Sequence, residues 1–140
     1  MARGNRRGDG SRMLATRVRT ARGRSNASAR WLQRQLNDPY VQKAQIEGYR
    51  SRAAFKLSEL DTRFHILSPD GRFVDLGCAP GGWTQVIAKR LNGGSVVGVD
   101  IQDVDPIDGA TILKLDIFSD EAVGQISQAL GGLADAVLSD

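Results

Sequence analysis

The run Val74-Asp75-Leu76-Gly77-Cys78-Ala79-Pro80-Gly81-Gly82 joins a short apolar stretch to a loop holding three glycines. Gly77, Gly81 and Gly82 let a backbone approach a ligand closely and adopt dihedrals that side chains forbid. Open α/β sheets hold ligands at such a position, outside the carboxyl end of a strand. A dinucleotide fingerprint requires Gly-x-Gly-x-x-Gly. Here the frame reads Gly-Cys-Ala-Pro-Gly-Gly, with Ala79 in place of the second glycine. Pro80 also removes an amide that could face a phosphate. Both features speak against a nicotinamide-dependent oxidoreductase. Taken alone, the loop also fits a plain strand-to-helix turn.

Four acids extend the pattern. Asp75, Asp100, Asp116 and Asp140 fall at the ends of four successive expected strands and so converge on one rim of the sheet. An acidic crevice is unsuited to pyrophosphate but suits a nucleoside that carries cations. S-adenosylmethionine is such a ligand, with a sulfonium, an ammonium and a ribose without phosphates. Asp100 is positioned to accept from both ribose hydroxyls, and Asp116 to meet an adenine amino group. A single strand-end Asp is commonly a turn former; four in register are harder to explain that way. Cys78 is the one cysteine, so no intrachain disulfide forms, and no Cys/His spacing reads as a metal site.

The elements that must position these residues follow from periodicity. Strands are predicted at 72–76, 95–100, 110–115 and 134–139, with helices at 83–91 and 120–130. Strands alternating with helices argue for a parallel, doubly wound α/β sheet. Ahead of it, residues 30–66 read as helices. Pro39 after Asp38 restarts a helix that Gly48 ends, and Ser51 is expected to cap the next one. That last helix presents Ala54, Phe55, Leu57, Leu60 and Phe64 as its apolar face. Arg52 and Lys56 lie four apart on one face of it, and Arg50 adds positive charge.

Charge is distributed unevenly. Residues 1–63 carry 15 Lys/Arg against 5 Asp/Glu, net +10, and residues 64–140 carry 4 against 11, net −7. Residues 1–30 hold nine Arg and one acid, and an arm at 1–29 of this composition is expected to be disordered. A basic block of this kind meets a polyanion, either nucleic acid or an anionic membrane face. An RNA-contacting tail, a solubilising tail and an organelle transit peptide all fit the arm. No apolar run reaches the roughly 18 residues of a membrane helix, and there is no apolar leader core. A reducing, intracellular compartment is the default, cytoplasmic or alternatively mitochondrial.

Two motifs in order carry a family resemblance. Asp75-Leu76-Gly77-Cys78-Ala79-Pro80-Gly81-Gly82-Trp83 resembles the nucleotide loop of the FtsJ/RrmJ-type ribose 2′-O-methyltransferases. Arg50-Ser51-Arg52-Ala53-Ala54-Phe55-Lys56-Leu57 resembles the helix that bears that family's first catalytic lysine. Arg30-Trp31-Leu32, Tyr40-Val41-Gln42-Lys43-Ala44 and Val137-Leu138-Ser139-Asp140 are similar to further family segments. The resemblance covers residues 30–140 and leaves the arm outside it.

The resemblance implies a Rossmann-like S-adenosylmethionine-dependent methyltransferase fold of seven strands, of which this chain supplies about four. It implies a Lys-Asp-Lys-Glu tetrad in which Lys56 is the first lysine and Asp140 the acid; the second lysine and the glutamate are expected downstream of Asp140. By the same matching, Gly81, Trp83, Asp100, Asp116 and Asp140 contact the cofactor, and Arg50, Arg52 and Lys56 face RNA. The implied reaction is in-line attack of a ribose 2′-oxygen on the sulfonium methyl. The second lysine takes the proton, Asp140 orients it and Lys56 places the ribose. The implied substrate is a uridine in large-subunit rRNA, met within the large ribosomal subunit by a monomer. Methylation of tRNA or of an mRNA cap, and a non-catalytic RNA-binding fragment, are the alternatives.

Overall fold

A computed structural model describes residues 25–140. Three helices come first: α1 (Asn26–Asn37), α2 (Pro39–Glu47) and α3 (Ala53–Phe64). An alternating series follows: β1 (Arg72–Leu76), α4 (Gly82–Arg90), β2 (Ser95–Asp100), β3 (Thr111–Lys114), α5 (Ala122–Leu130) and β4 (Ala136–Ser139). The four strands form one sheet in the order β3-β2-β1-β4, and every neighbouring pair is parallel. The chain steps outward from β1 to β3, then returns to lay β4 on the other side of β1. Strand order therefore reverses between β1 and β4, which is where a doubly wound sheet opens a ligand crevice.

Side-chain alternation explains the two layers. On one face Phe73 and Val96 pack against Trp83, Val86 and Ile87 of α4 and against Ala54 and Leu57 of α3. On the other, Val74, Val97 and Val99 pack against Leu130 and Ile126 of α5. Strands buried on both faces read as continuous β-branched runs, as Val96-Val97 and Val99 do. Each fully buried Val, Leu or Phe contributes about 1.5–3 kcal/mol.

Several expectations shift. The helix α1 begins at Asn26, inside the segment expected as arm, because Ser25 Oγ accepts the Ser28 amide at 3.1 Å and so opens the helix. Residues 1–24 of that arm lie outside the described residues. Ser51 does not cap α3. The N-cap position belongs to Arg52 in helical dihedrals, and backbone bonds from Ala54 N to Ser51 O and Phe55 N to Arg52 O close the first turn. Phe64 is exposed rather than part of the apolar face. The buried slot goes to Asp61, because the chain leaves α3 through His65 in the left-handed region. There the Asp61 carboxylate accepts the Leu67 amide at 2.7 Å and pairs with Arg90. Burial raises its pKa, but the Leu67 amide and Arg90 outweigh that and hold it below the usual value. Asp135 clasps the start of β1, accepting the Arg72 amide at 2.7 Å.

Candidate functional site

The glycine loop between β1 and α4 is anchored from its neighbour strand. The amides of Gly77 and Cys78 both donate to Val99 O, at 2.8 and 3.0 Å. The next amide, Ala79 N, donates to Asp100 Oδ2 at 2.9 Å, and Gln102 N donates to Asp100 Oδ1 at 2.9 Å. Gly81 takes φ +120°, and a Cβ there would lie 2.7 Å from Ile107 Cδ1. A side chain there is strained by the backbone and would have to displace the tip of Ile107.

Asp75 lies one residue before the end of β1 and is 2% exposed. Its side chain is turned toward α4, where it accepts the Thr84 hydroxyl at 2.7 Å. Burial pushes its pKa up to about 6; the Thr84 hydroxyl opposes that and the charge of Asp140 adds to it. Burial, with Asp75 and Asp100 nearby, likewise pushes the Cys78 thiol up to about 11, so it stays protonated and unreactive.

Two depressions meet beside this loop. A cleft of about 240 Å³ is walled by Gly77, Ala79, Gly82, Trp83, Asp75 and Asp140. A groove of about 1080 Å³ runs along α2 and α3, past Tyr40, Lys43, Arg52, Lys56 and Arg63. Ala53 and Asp140 line both. At the junction Lys56 Nζ donates to Asp140 Oδ1 at 2.8 Å, joining residues 84 apart in sequence. An ion pair this exposed adds at most about 1 kcal/mol of stability, so its value lies in placement.

The expected site residues separate into groups. Lys56, Asp140 and Trp83 line these depressions, as does Arg52. The Trp83 indole N–H donates to Ala53 O at 2.8 Å, tying α4 to α3. Gly81 and Asp100 shape the loop from behind. Asp116 lies just past β3 at the same rim, outside the cleft lining, with its carboxylate accepting the Phe118 amide at 2.9 Å. Arg50 departs from expectation. Its guanidinium donates to Pro80 O at 3.2 Å, Asp105 O at 2.6 Å and Pro106 O at 2.6 Å. It braces the loop, because carbonyls from two loops converge on one planar fork, and it does not line the groove. Sequence reasoning missed Tyr40 and Lys43 in the groove; their segment was read as helix and as a family resemblance, with no role given to either side chain.

A family model for FtsJ-like methyltransferases matches residues 49–140. A protein of Rhizorhabdus wittichii called ribosomal RNA large subunit methyltransferase E is 59% identical over 136 residues, covering 97% of this chain and 58% of that protein. One of the same name from Roseobacter denitrificans is 56% identical over 145 residues, covering 97% and 60%. The chain thus spans about three fifths of the length of these curated relatives. A solved Plasmodium falciparum chain described as a ribosomal RNA methyltransferase superposes with a TM-score of 0.58 at 34% identity, covering 66% of this chain and 56% of that one. With 97% of the chain aligned, the similarity runs into the Arg-rich arm, which was expected to lie outside it. The arm carries no motif, so only whole-sequence comparison reaches it.

Proposed function

The chain belongs to the FtsJ-like methyltransferase family, and on that premise we propose that it serves S-adenosylmethionine-dependent methylation of a ribose 2′-hydroxyl in large-subunit rRNA, with a uridine as target. The single observation that carries the reading is the junction of an acidic cleft and a basic groove at the Lys56–Asp140 pair. One depression suits a cationic donor and the other a polyanionic acceptor, and the reaction needs the two side by side.

The residues present fit the cofactor. The cleft is glycine-walled, apolar on the Trp83 side and acidic at Asp140, without a cation to hold phosphates among its lining. Trp83 and Asp140 would hold it in the cleft, with Gly81 and Asp100 shaping the loop against it and Asp116 at the rim; Asp100 and Asp116 keep acceptor capacity beyond the amides they bind. When bound, it supplies a methyl group on a sulfonium.

Asp140 lies between the two depressions and would offer negative charge to a sulfonium in the cleft. It pairs with Lys56 Nζ at the mouth of the groove, and that ammonium would hydrogen-bond the acceptor sugar. Much of the rate then comes from holding two substrates in line. Cytoplasmic large subunits are the proposed setting, with the protein acting as a monomer.

The test uses the native gene product, methyl-labelled S-adenosylmethionine and large subunits from cells lacking the gene. The expected label is on a ribose, recovered as an alkali-resistant dinucleotide. Asp140→Ala and Lys56→Ala each lower transfer by about a hundredfold or more. Asp140→Ala also weakens cofactor binding, and Lys56→Ala leaves it intact. Label on a base, on tRNA or on a cap would overturn the substrate. Salt-dependent RNA binding with no transfer would leave a non-catalytic RNA-binding module.

A further inference from the structure

We propose that Tyr40 is the platform on which the groove stacks an unpaired base, so that its RNA is bound single-stranded. The inference rests on the RNA reading above and adds the state of the bound segment. Tyr40 opens α2 and is 55% exposed on the groove wall. Its position is fixed. Asp38 Oδ1 accepts the Tyr40 amide at 2.8 Å, and Asp38 Oδ2 pairs with the Arg52 guanidinium. That guanidinium lies over the Tyr40 ring, 5.4 Å from its centroid. Phe55 supports the ring at 6.3 Å, tilted by 50°.

Tyr49 shows what a packing tyrosine looks like here. It meets the same Phe55 edge-on at 5.8 Å and is half-buried. Tyr40 instead keeps much of its surface on the groove.

The surrounding charges suit a nucleic-acid strand. Lys43, Arg52, Lys56 and Arg63 line the groove against Glu59 and Asp140, and Asp140 is paired with Lys56. Lys43 Nζ sits 4.9 Å from the centroid of the Phe55 ring. Aromatic rings interleaved with cations are how proteins hold single strands, since a base presents its face only when unstacked. Arg52 and Lys56 are one helical turn apart, about 6 Å, so the guanidinium over the Tyr40 ring and the Lys56 ammonium share one face of α3.

Anisotropy with a labelled uridine-rich single strand and with the same sequence as a duplex tests this. The wild-type chain binds the single strand more tightly. Tyr40→Ala loses about tenfold on the single strand and nothing on the duplex, while Tyr40→Phe retains wild-type affinity. The salt slope stays unchanged in both variants. An abasic position in the strand reproduces the tenfold loss for the wild type at one site, a reading that needs no variant to fold. Tyr40→Ala binding as the wild type does, equal losses on strand and duplex, or insensitivity to every abasic position would each overturn the proposal. If the wild type bound neither RNA, the RNA reading itself would fall.

Discussion

The cleft at the ends of β1 and β4 is walled largely by backbone, glycines and buried side chains. The groove along α2 and α3 is walled by long, exposed, charged ones. The cleft's shape comes from amides tied to Val99 O and Asp100, and from Arg50 behind them. The groove's shape comes from side chains held by single ion pairs and ring contacts. A ligand with a fixed shape needs the first construction. A flexible polyanion tolerates the second, because charge attraction acts over about 8 Å at physiological salt and does not require close fit.

That contrast is broken most severely at Gly81. Gly81→Ala places a Cβ 2.7 Å from Ile107 in a backbone region L-residues avoid. A loss of about 2–4 kcal/mol is expected by denaturant titration, with cofactor binding abolished. RNA affinity of whatever remains folded should hold; loss of both in step would mean the two depressions are one unit.

The next effect is a pH dependence. Asp75 has a folded pKa of about 6, above an unfolded value of about 3.9. The folded state therefore binds that proton more tightly, and stability falls as pH rises from about 4 to 6. The size is about 2–3 kcal/mol, and Asp75→Asn should flatten it in melts across that window. Asp61 has the opposite sign. Its folded pKa is lowered, so its contribution is present above about pH 4 and lost as pH falls further. An unchanged slope in Asp75→Asn would remove Asp75 as its source.

Arg50 sharpens the comparison from the other side. Arg50→Ala leaves the carbonyls of Pro80, Asp105 and Pro106 without their donor, at a cost of about 1–2 kcal/mol. It should raise the Kd for cofactor while leaving the salt slope of RNA binding unchanged. Arg50→Lys should not restore it, since an ammonium lacks the planar fork. A reduced salt slope would instead return Arg50 to the RNA-facing group.

The smallest effect belongs to Lys43. Lys43→Ala should change stability by less than about 1 kcal/mol and reduce the salt slope of RNA binding by about one. An unchanged slope would move the strand away from this wall.

Local pattern carried much of the fold. β1 and β2 fall at the expected residues because β-branched runs bounded by glycine turns have few other solutions. α2 begins at Pro39 and ends at Gly48 for equally local reasons, an Asp38 cap and a left-handed C-cap. The strand-end acids were legible as a set, but not their division of labour. Asp75 turns inward to Thr84, Asp100 holds the loop, and only Asp140 faces both depressions. Arg50 and Arg52 look equivalent in sequence, and nothing local separates the brace of the loop from the residue that lines the groove.

The sequence by itself determined the elements, the glycine loop and the charge asymmetry, because these depend on neighbours within a few residues. Only the tertiary structure decided the order β3-β2-β1-β4, the Lys56–Asp140 junction and the burial of Asp61 with Arg90. Those pair residues 29 and 84 apart. Such pairings are set by which faces of the sheet and helices bury together, a property of the whole packed chain that local spacing does not encode.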